Sequence, residues 1–236
     1  MKFATFIAAE DSAEIGAFHQ WLLQTYSASF VEAADGLVSA VVRLSVETPT
    51  VVRTSGAAAK APEAAHLPYH ALLESWFATT EDFRKTARKV EPMLRQRGAR
   101  FVSYRVTPWL EKDPRQAEAG PEGTRPALTL ITPVKWLPGL AKSEARRHWD
   151  EHVGTALRVH VGLSKYERNW AEEIMSWSDG AEPVDAYADF SFRTIEDYTD
   201  RFFPDDGDRL EISQDIANFI ASGSALLLGD ARPIGG

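Results

Sequence analysis

Residues 148–152 read HWDEH, two imidazoles, two carboxylates and an indole within five positions. Ala145, Trp149, His152, Ala156 and His160 recur at steps of three or four, so a helix carries Trp149 and His152 on one face, turned toward a sheet. An imidazole among apolar groups titrates near neutral pH and is tuned by its surroundings, which suits general acid–base work. The competing reading is a core histidine whose ring nitrogens are satisfied by backbone or water. The same residues also fit the H-x-x-E-H pattern of inverted zinc peptidases, since groups four apart on a helix can share a metal. Zinc would need a third ligand from an acidic helix further along, and Trp149 fills space there instead. The expectation is therefore a site without metal or organic cofactor.

Downstream, Tyr166, Arg168 and Asn169 fall on one predicted strand, with Tyr166 and Arg168 on one face and Asn169 on the other. A polar group facing the helix could orient a carbonyl or enolate oxygen beside His152. The plainer readings are a rim salt bridge for Arg168 and a half-buried strand aromatic for Tyr166. Glu74 and Asp189 fall at equivalent places in two similar segments, on the sheet face expected to meet the other half. They are either paired acids or, as the favoured reading, acceptors of hydrogen bonds and ion pairs between the sheets. His70 stands just before the first of these strands and could reach the end covered by a loop. The run Asp205-Asp206-Gly207-Asp208 lacks the spacing and terminal glutamate of a calcium loop and reads as a solvated turn.

These residues sit in a repeated frame. Residues 71–83, ALLESWFATTEDF, match residues 186–198, AYADFSFRTIEDY, at a gapless offset of 115. Two copies at so long an offset indicate a duplicated domain rather than a solenoid. In the first copy, strands are predicted at 3–8, 37–46, 71–78 and 101–107. A helix with Ile15, Phe18, Leu22, Tyr26, Phe30 and Ala33 on its inner face follows the first strand, and a second, capped by Thr79, runs to about residue 89. The second copy repeats this, with strands at 128–134, 163–170, 186–193 and 225–228 and helices capped by Ser143 and Thr194. The order is β-α-β-β-α-β twice, the ferredoxin-like arrangement. Residues 48–68, rich in Ala, Pro and Thr, make a long excursion that is either a lid or a tolerated insertion. A proline- and glycine-rich stretch from about 111 to 126 joins the copies, which gives a first half at 1–112, a linker at 113–126 and a second half at 127–236.

Residues 134–170 read VKWLPGLAKSEARRHWDEHVGTALRVHVGLSKYERNW. The Pro-Gly turn after a strand, the helix with W-x-x-H and the extended K-Y-x-x-N segment resemble the EthD family of the dimeric α/β-barrel superfamily. The likeness extends over the V-D-A-Y-A-D-F strand and the T-I-E-D-Y helix start. In the first half Trp21 keeps the helix tryptophan, but Gln24 stands where the histidine would fall. The resemblance implies an α+β fold in which two ferredoxin-like units pack sheet to sheet as an intrachain barrel. It also places a functional role on His152. The expected reaction is a cofactor-independent lyase, isomerase or cyclase step on a small hydrophobic or aromatic carbonyl compound. His152, Tyr166 and Asn169 would be catalytic, with Trp149, His148, Arg168, Tyr187, Asp189 and His70 around the substrate. A non-catalytic binding or stress-related protein, and oxygen or haem chemistry in the same cavity, are the alternatives. One site per chain is expected, because of Gln24.

Composition excludes other classes. Apolar residues at 44% and charged ones at 25% are globular proportions, not those of a disordered chain. A net charge of −8 without a basic stripe argues against nucleic acid and anionic membrane surfaces as partners. The lack of cysteine removes disulfides, thiolate nucleophiles and cysteine metal sites, and fits a cytoplasmic protein. Residues 1–9, MKFATFIAA, end on Glu10 and Asp11 and read as a first strand rather than a signal peptide. Pairing of two chains through their outer helices is an expectation consistent with a short barrel.

Overall fold

The computed structural model describes residues 1–11, 14–46, 69–113, 128–223, 226–229 and 231–234. β1 (Lys2–Ala8) leads to α1 (Ile15–Trp21), a π-helical turn (Leu22–Tyr26) and α2 (Ser27–Ala33), which run on as one helical stretch. β2 (Leu37–Leu44), β3 (Ala71–Phe77), α3 (Thr80–Gln96) and β4 (Arg100–Lys112) follow. The second half contains β5 (Leu128–Trp136), α4 (Lys142–Val159), β6 (Lys165–Trp177), β7 (Ala186–Phe192), α5 (Ile195–Thr199) and α6 (Asp206–Ile216). The short strands β8 (Ile220–Gly223), β9 (Leu226–Leu228) and β10 (Arg232–Ile234) end it.

All these strands form one antiparallel sheet in the order β10-β2-β3-β1-β4-β6-β7-β5-β8, with β9 also on β5. Each half thus lays out its strands alike, as β2-β3-β1-β4 and β6-β7-β5-β8. The expected pair of sheets is in fact a single one. β4 and β6 zip the halves together from Val102 to Lys112 and from Tyr166 to Trp177, which spares both strands an exposed edge. At the far side β10 pairs with β2, Ser45 bridges Leu228, and the Gly229 N–H donates to the Leu44 carbonyl at 3.0 Å. The sheet closes on itself.

Strand alternation sorts the core into layers. On β1, Phe3 and Ile7 point outward under α1–α3, while Ala4, Phe6 and Ala8 point into the barrel. β7 does the same, with Phe190 and Phe192 under α4 and Tyr187 inside. The barrel interior joins Phe6, Leu72 and Tyr104 of the first half to Ile131, Tyr187 and Leu226 of the second.

Helix ends follow local chemistry, with corrections. Thr79 and Thr194 accept from the Asp82 and Asp197 N–H groups, as their positions predict. Ser143 does not cap α4; it lies inside a first turn that starts at Lys142. The acidic run is no free turn, because Asp205 caps α6 by accepting from the Asp208 N–H at 2.8 Å. β4 continues through Lys112, so Glu111 belongs to a strand and not to the linker. The stretch at 48–68 lies outside the described residues, and with it the question of a lid. No helix among the described residues is long and apolar enough to cross a membrane.

Candidate active site

α4 buries Ala145, Trp149, His152, Ala156 and Val159 at helical spacing, which turns Trp149 and His152 onto the outer face of the second half's strands. His152 is 5% exposed. Its Nδ1–H donates to Oδ2 of Asp215 on α6 at 2.8 Å. That bond fixes the ring's orientation and leaves the Nε2 lone pair as the basic position. Burial holds the His152 pKa below the usual 6.5, against the opposing pull of Asp215; the charge of Arg168 adds to the lowering. The imidazole is therefore neutral at pH 7 and competent to accept a proton.

Trp149 stands one helical turn away. Its Nε1–H donates to the Tyr166 hydroxyl at 2.9 Å. Tyr166 is fully buried, and burial raises its pKa above the usual 10, so the phenol keeps its proton and can donate it. Trp136, Trp149, Trp170 and Phe219 pack around these groups, with the Phe219 ring centroid 5.7 Å from that of His152. Arg168 lies 5.7 Å and 5.4 Å from the Trp149 and Trp170 rings. It donates through Nε to Glu111 at 2.6 Å and through Nη1 to Asp150 at 2.7 Å. Glu111 comes from β4, so the first half supplies a ligand to a buried cation of the second.

His148 is partly exposed, lies parallel to the Phe219 ring and has Nδ1 3.8 Å from Glu151. Glu151 itself is exposed and paired with Arg147. His160, the residue that caps the C-terminal end of α4, donates to the Phe202 carbonyl at 2.6 Å and stacks on that ring. Burial pushes its pKa down to about 4, which marks a structural histidine.

The other face of β6 carries a separate cluster, and here the expected site divides. Asn169 lies inside the barrel, across the sheet from His152, with Oδ1 accepting from Lys2 Nζ at 2.8 Å. Lys2 also meets Glu74 at 2.7 Å and Glu167 at 2.6 Å. Arg43 pairs with Glu74, Lys165 donates to Asp189 at 2.8 Å, and the Tyr187 hydroxyl donates to Glu74 at 3.1 Å. Tyr187 and Asp189 thus belong to this internal network and not to the surroundings of His152. Three cations (Lys2, Arg43 and Lys165) balance three carboxylates (Glu74, Glu167 and Asp189). Burial pushes the Lys2 pKa down to about 8, while Lys165 and Arg43 hold the Asp189 carboxyl below its ordinary range. The acceptor oxygens of Glu74, Glu167 and Asp189 are close enough to share a cation, and lysine and arginine already supply it. His70 is apart from both clusters: its Nδ1 accepts from the Ala9 N–H at 2.9 Å and its carbonyl meets His19 Nε2 at 3.1 Å.

Asp215, Glu111, Lys2 and Arg43 were not singled out from the sequence. Asp215 sits in a polar helix without a one-sided apolar stripe, so nothing local marks it. Glu111 reads as the start of a linker.

No protein-family model matches the chain, and no curated protein matches it. Among solved structures, an anthrone oxidase-like protein superposes with a TM-score of 0.62 at 15% identity, over 100% of this chain and 93% of the other. A candidate monooxygenase from Fusobacterium nucleatum gives 0.54 at 9% identity, over 99% and 94%. A chlorite dismutase variant from Candidatus Nitrospira defluvii gives 0.50 at 14% identity, over 99% and 92%. The likeness at such identities is one of fold: the ferredoxin-like dimeric α/β barrel.

Proposed function

We propose that the chain is a proton-transfer enzyme for small hydrophobic or aromatic carbonyl compounds, with His152 as general base. The observation that carries this is the His152–Asp215 hydrogen bond. A carboxylate on one imidazole nitrogen holds the other as a base, and burial keeps the ring neutral at working pH. The reading takes the chain as an EthD-like protein whose halves, 1–112 and 127–236, arose by tandem duplication. Their matching segments and their repeated strand order support it.

In this mechanism His152 Nε2 removes a proton from a carbon next to the substrate carbonyl. The C–H electron pair moves into an enolate, whose oxygen receives a hydrogen bond from the Tyr166 hydroxyl. Trp149 holds that hydroxyl and, with Trp136, Trp170 and Phe219, forms an apolar wall for a flat substrate. Returning the proton to another carbon completes an isomerisation; in a cyclisation the enolate carbon instead bonds to a second carbonyl carbon of the substrate, and the proton held by His152 passes to that carbonyl's oxygen, in either case without metal or organic cofactor. Asn169 takes no part, since the sheet separates it from His152.

A second reading shares the first step. The likeness in fold to an anthrone oxidase-like protein favours it. Anthrone deprotonated by His152 would react with dioxygen to give anthraquinone and one water.

Both readings are tested with a panel of cyclic carbonyl compounds bearing acidic C–H bonds, anthrone first. Deuterium uptake from D2O is followed by NMR under nitrogen, then oxygen consumption in air. The protein should accelerate exchange, and His152→Ala should lose roughly 10²- to 10⁴-fold of that acceleration. Full exchange by His152→Ala would remove His152 as the base. Oxygen uptake that tracks the exchange selects the second reading.

A further inference from the structure

The wall around His152 is aromatic but not wholly apolar. Two N–H groups in it are buried and have no hydrogen-bond partner among the described residues: the indole Nε1–H of Trp136 and the Nε–H of Arg146. A covered donor without an acceptor is costly, so such groups are few and each calls for an explanation. Both donors belong to side chains that lie against one ring. The Trp136 ring centroid is 6.0 Å from that of Trp170, and the guanidinium carbon of Arg146 is 4.9 Å from it. Trp136 is also 6.2 Å from Phe219, the ring that meets His152. The base and the two donors therefore share one aromatic cluster.

Local structure puts them there. Arg146 precedes Trp149 and Asp150 by three and four positions on α4, so it extends their helix surface toward the start of the helix. Trp136 ends β5 and pairs with Ile220 of β8, the residue after Phe219. Both side chains keep an exposed edge while their N–H groups are covered, which sets them at the outer margin of the cluster. Arg168 gives the contrast. It also lies over Trp170, at 5.4 Å, but its Nε and Nη1 donate to Glu111 and Asp150, so two carboxylates balance one guanidinium. At Arg146 the ratio is reversed. Its Nη2 donates to Glu172 at 2.6 Å, and Lys142 Nζ donates to the same carboxylate at 3.2 Å. Two cations share one carboxylate, in a chain whose net charge is −8.

We propose that the substrates of this site are hydrophobic or aromatic keto acids, whose carboxylate is received by the N–H groups of Trp136 and Arg146. The proposal rests on the reading of His152 as a base and narrows its substrate class from carbonyl compounds to keto acids. A carboxylate suits both observations. It only accepts hydrogen bonds, its two oxygens can take two donors, and its charge meets the local excess of positive charge. Trp136 and Arg146 then determine specificity by holding the acid group while His152 acts on the C–H bond.

The test is calorimetric binding of phenylpyruvate and 4-oxo-4-phenylbutanoate to the full chain, each against its methyl ester, which keeps ring and ketone and loses the charge. At least one acid should bind roughly 10- to 100-fold tighter than its ester. Trp136→Phe keeps a ring, and Arg146→Lys keeps a cation for Glu172. Each should cut the acid preference roughly 3- to 10-fold. Equal affinity for acids and esters, no binding of either acid, or a preference that both variants retain overturns the proposal. The comparison of acid with ester on the unaltered chain decides even where a variant misfolds. Binding and exchange also fail separately. An acid preference without accelerated deuterium exchange would sink the base assignment and leave the carboxylate site standing, and exchange accelerated alike for acid and ester, with equal affinities, would do the reverse.

Discussion

His152 inside α4 and His160 just past its C-terminal end do different things because of what meets Nδ1. A carboxylate on α6 meets the first, and a backbone carbonyl meets the second. The active form of His152 is the neutral one, so the acid limb of an exchange-rate profile should fall below pH 6.5. Asp215 favours the charged ring, and Asp215→Asn should therefore move that limb to still lower pH, along with slowing the rate. A limb that moves upward would mean that Asp215 does not act on His152. For His160 the consequence is stability. Its pKa is about 4 when folded and about 6.5 when unfolded. Between those values the unfolded chain binds a proton that the native state refuses, so stability declines as pH falls from about 6.5 to 4. The loss approaches about 3 kcal/mol at the low end. His160→Asn should flatten that part of a urea-unfolding series, at some cost in stability at pH 7.

At the scale of elements, caps were legible and lengths were not. Thr79 and Thr194 announce themselves by a threonine with acidic residues two and three positions on. α3 nevertheless runs seven residues past its expected end, through Pro92, because Val90 and Leu94 bury against the sheet. Packing of an apolar face outweighs one missing backbone donor. Asp205 has a definite job at the start of α6, the helix that carries Asp215. Asp205→Ala should cost about 1 kcal/mol, or roughly 2 to 4 °C in Tm, and should also slow exchange by loosening the partner of His152. An unchanged Tm would show the cap to be dispensable. β4 and β6 exceed their expected lengths for a related reason. Each extends past its own half and pairs with the other, which carries Glu111 to Arg168 and Ser176 to Glu91.

For the whole molecule, the internal ion network is the feature with most at stake. Lys2, Arg43 and Lys165 are held against Glu74, Glu167 and Asp189, with Lys2, Glu74 and Asp189 buried and the others partly so, and Glu74 touches both Lys2 and Arg43. Glu74→Gln would leave two buried cations short of a counter-charge and should destabilise the fold by about 3 to 5 kcal/mol. Chemical denaturation measures this directly, and a loss below about 1 kcal/mol would show that the barrel admits water. The network draws on β1, β2, β3, β6 and β7, so it ties the halves together electrostatically as Phe6 and Tyr187 do by contact, with ring centroids 5.3 Å apart.

The β-α-β-β-α-β order of the first half, the faces of β3 and β7 and the inward turn of Trp149 and His152 were readable from the residues alone. Each follows from a period of two or 3.6, or from a cap a few positions away, and such signals are local. Tertiary structure alone decided the rest. It made one closed sheet of the expected two, brought Asp215 to His152 across 63 positions, and sent Asn169 to Lys2 instead of to His152. Side-chain period says which residues share a face, but not which distant element covers that face. Nor does it reveal where a helix widens by one residue to keep its buried row in contact with the core.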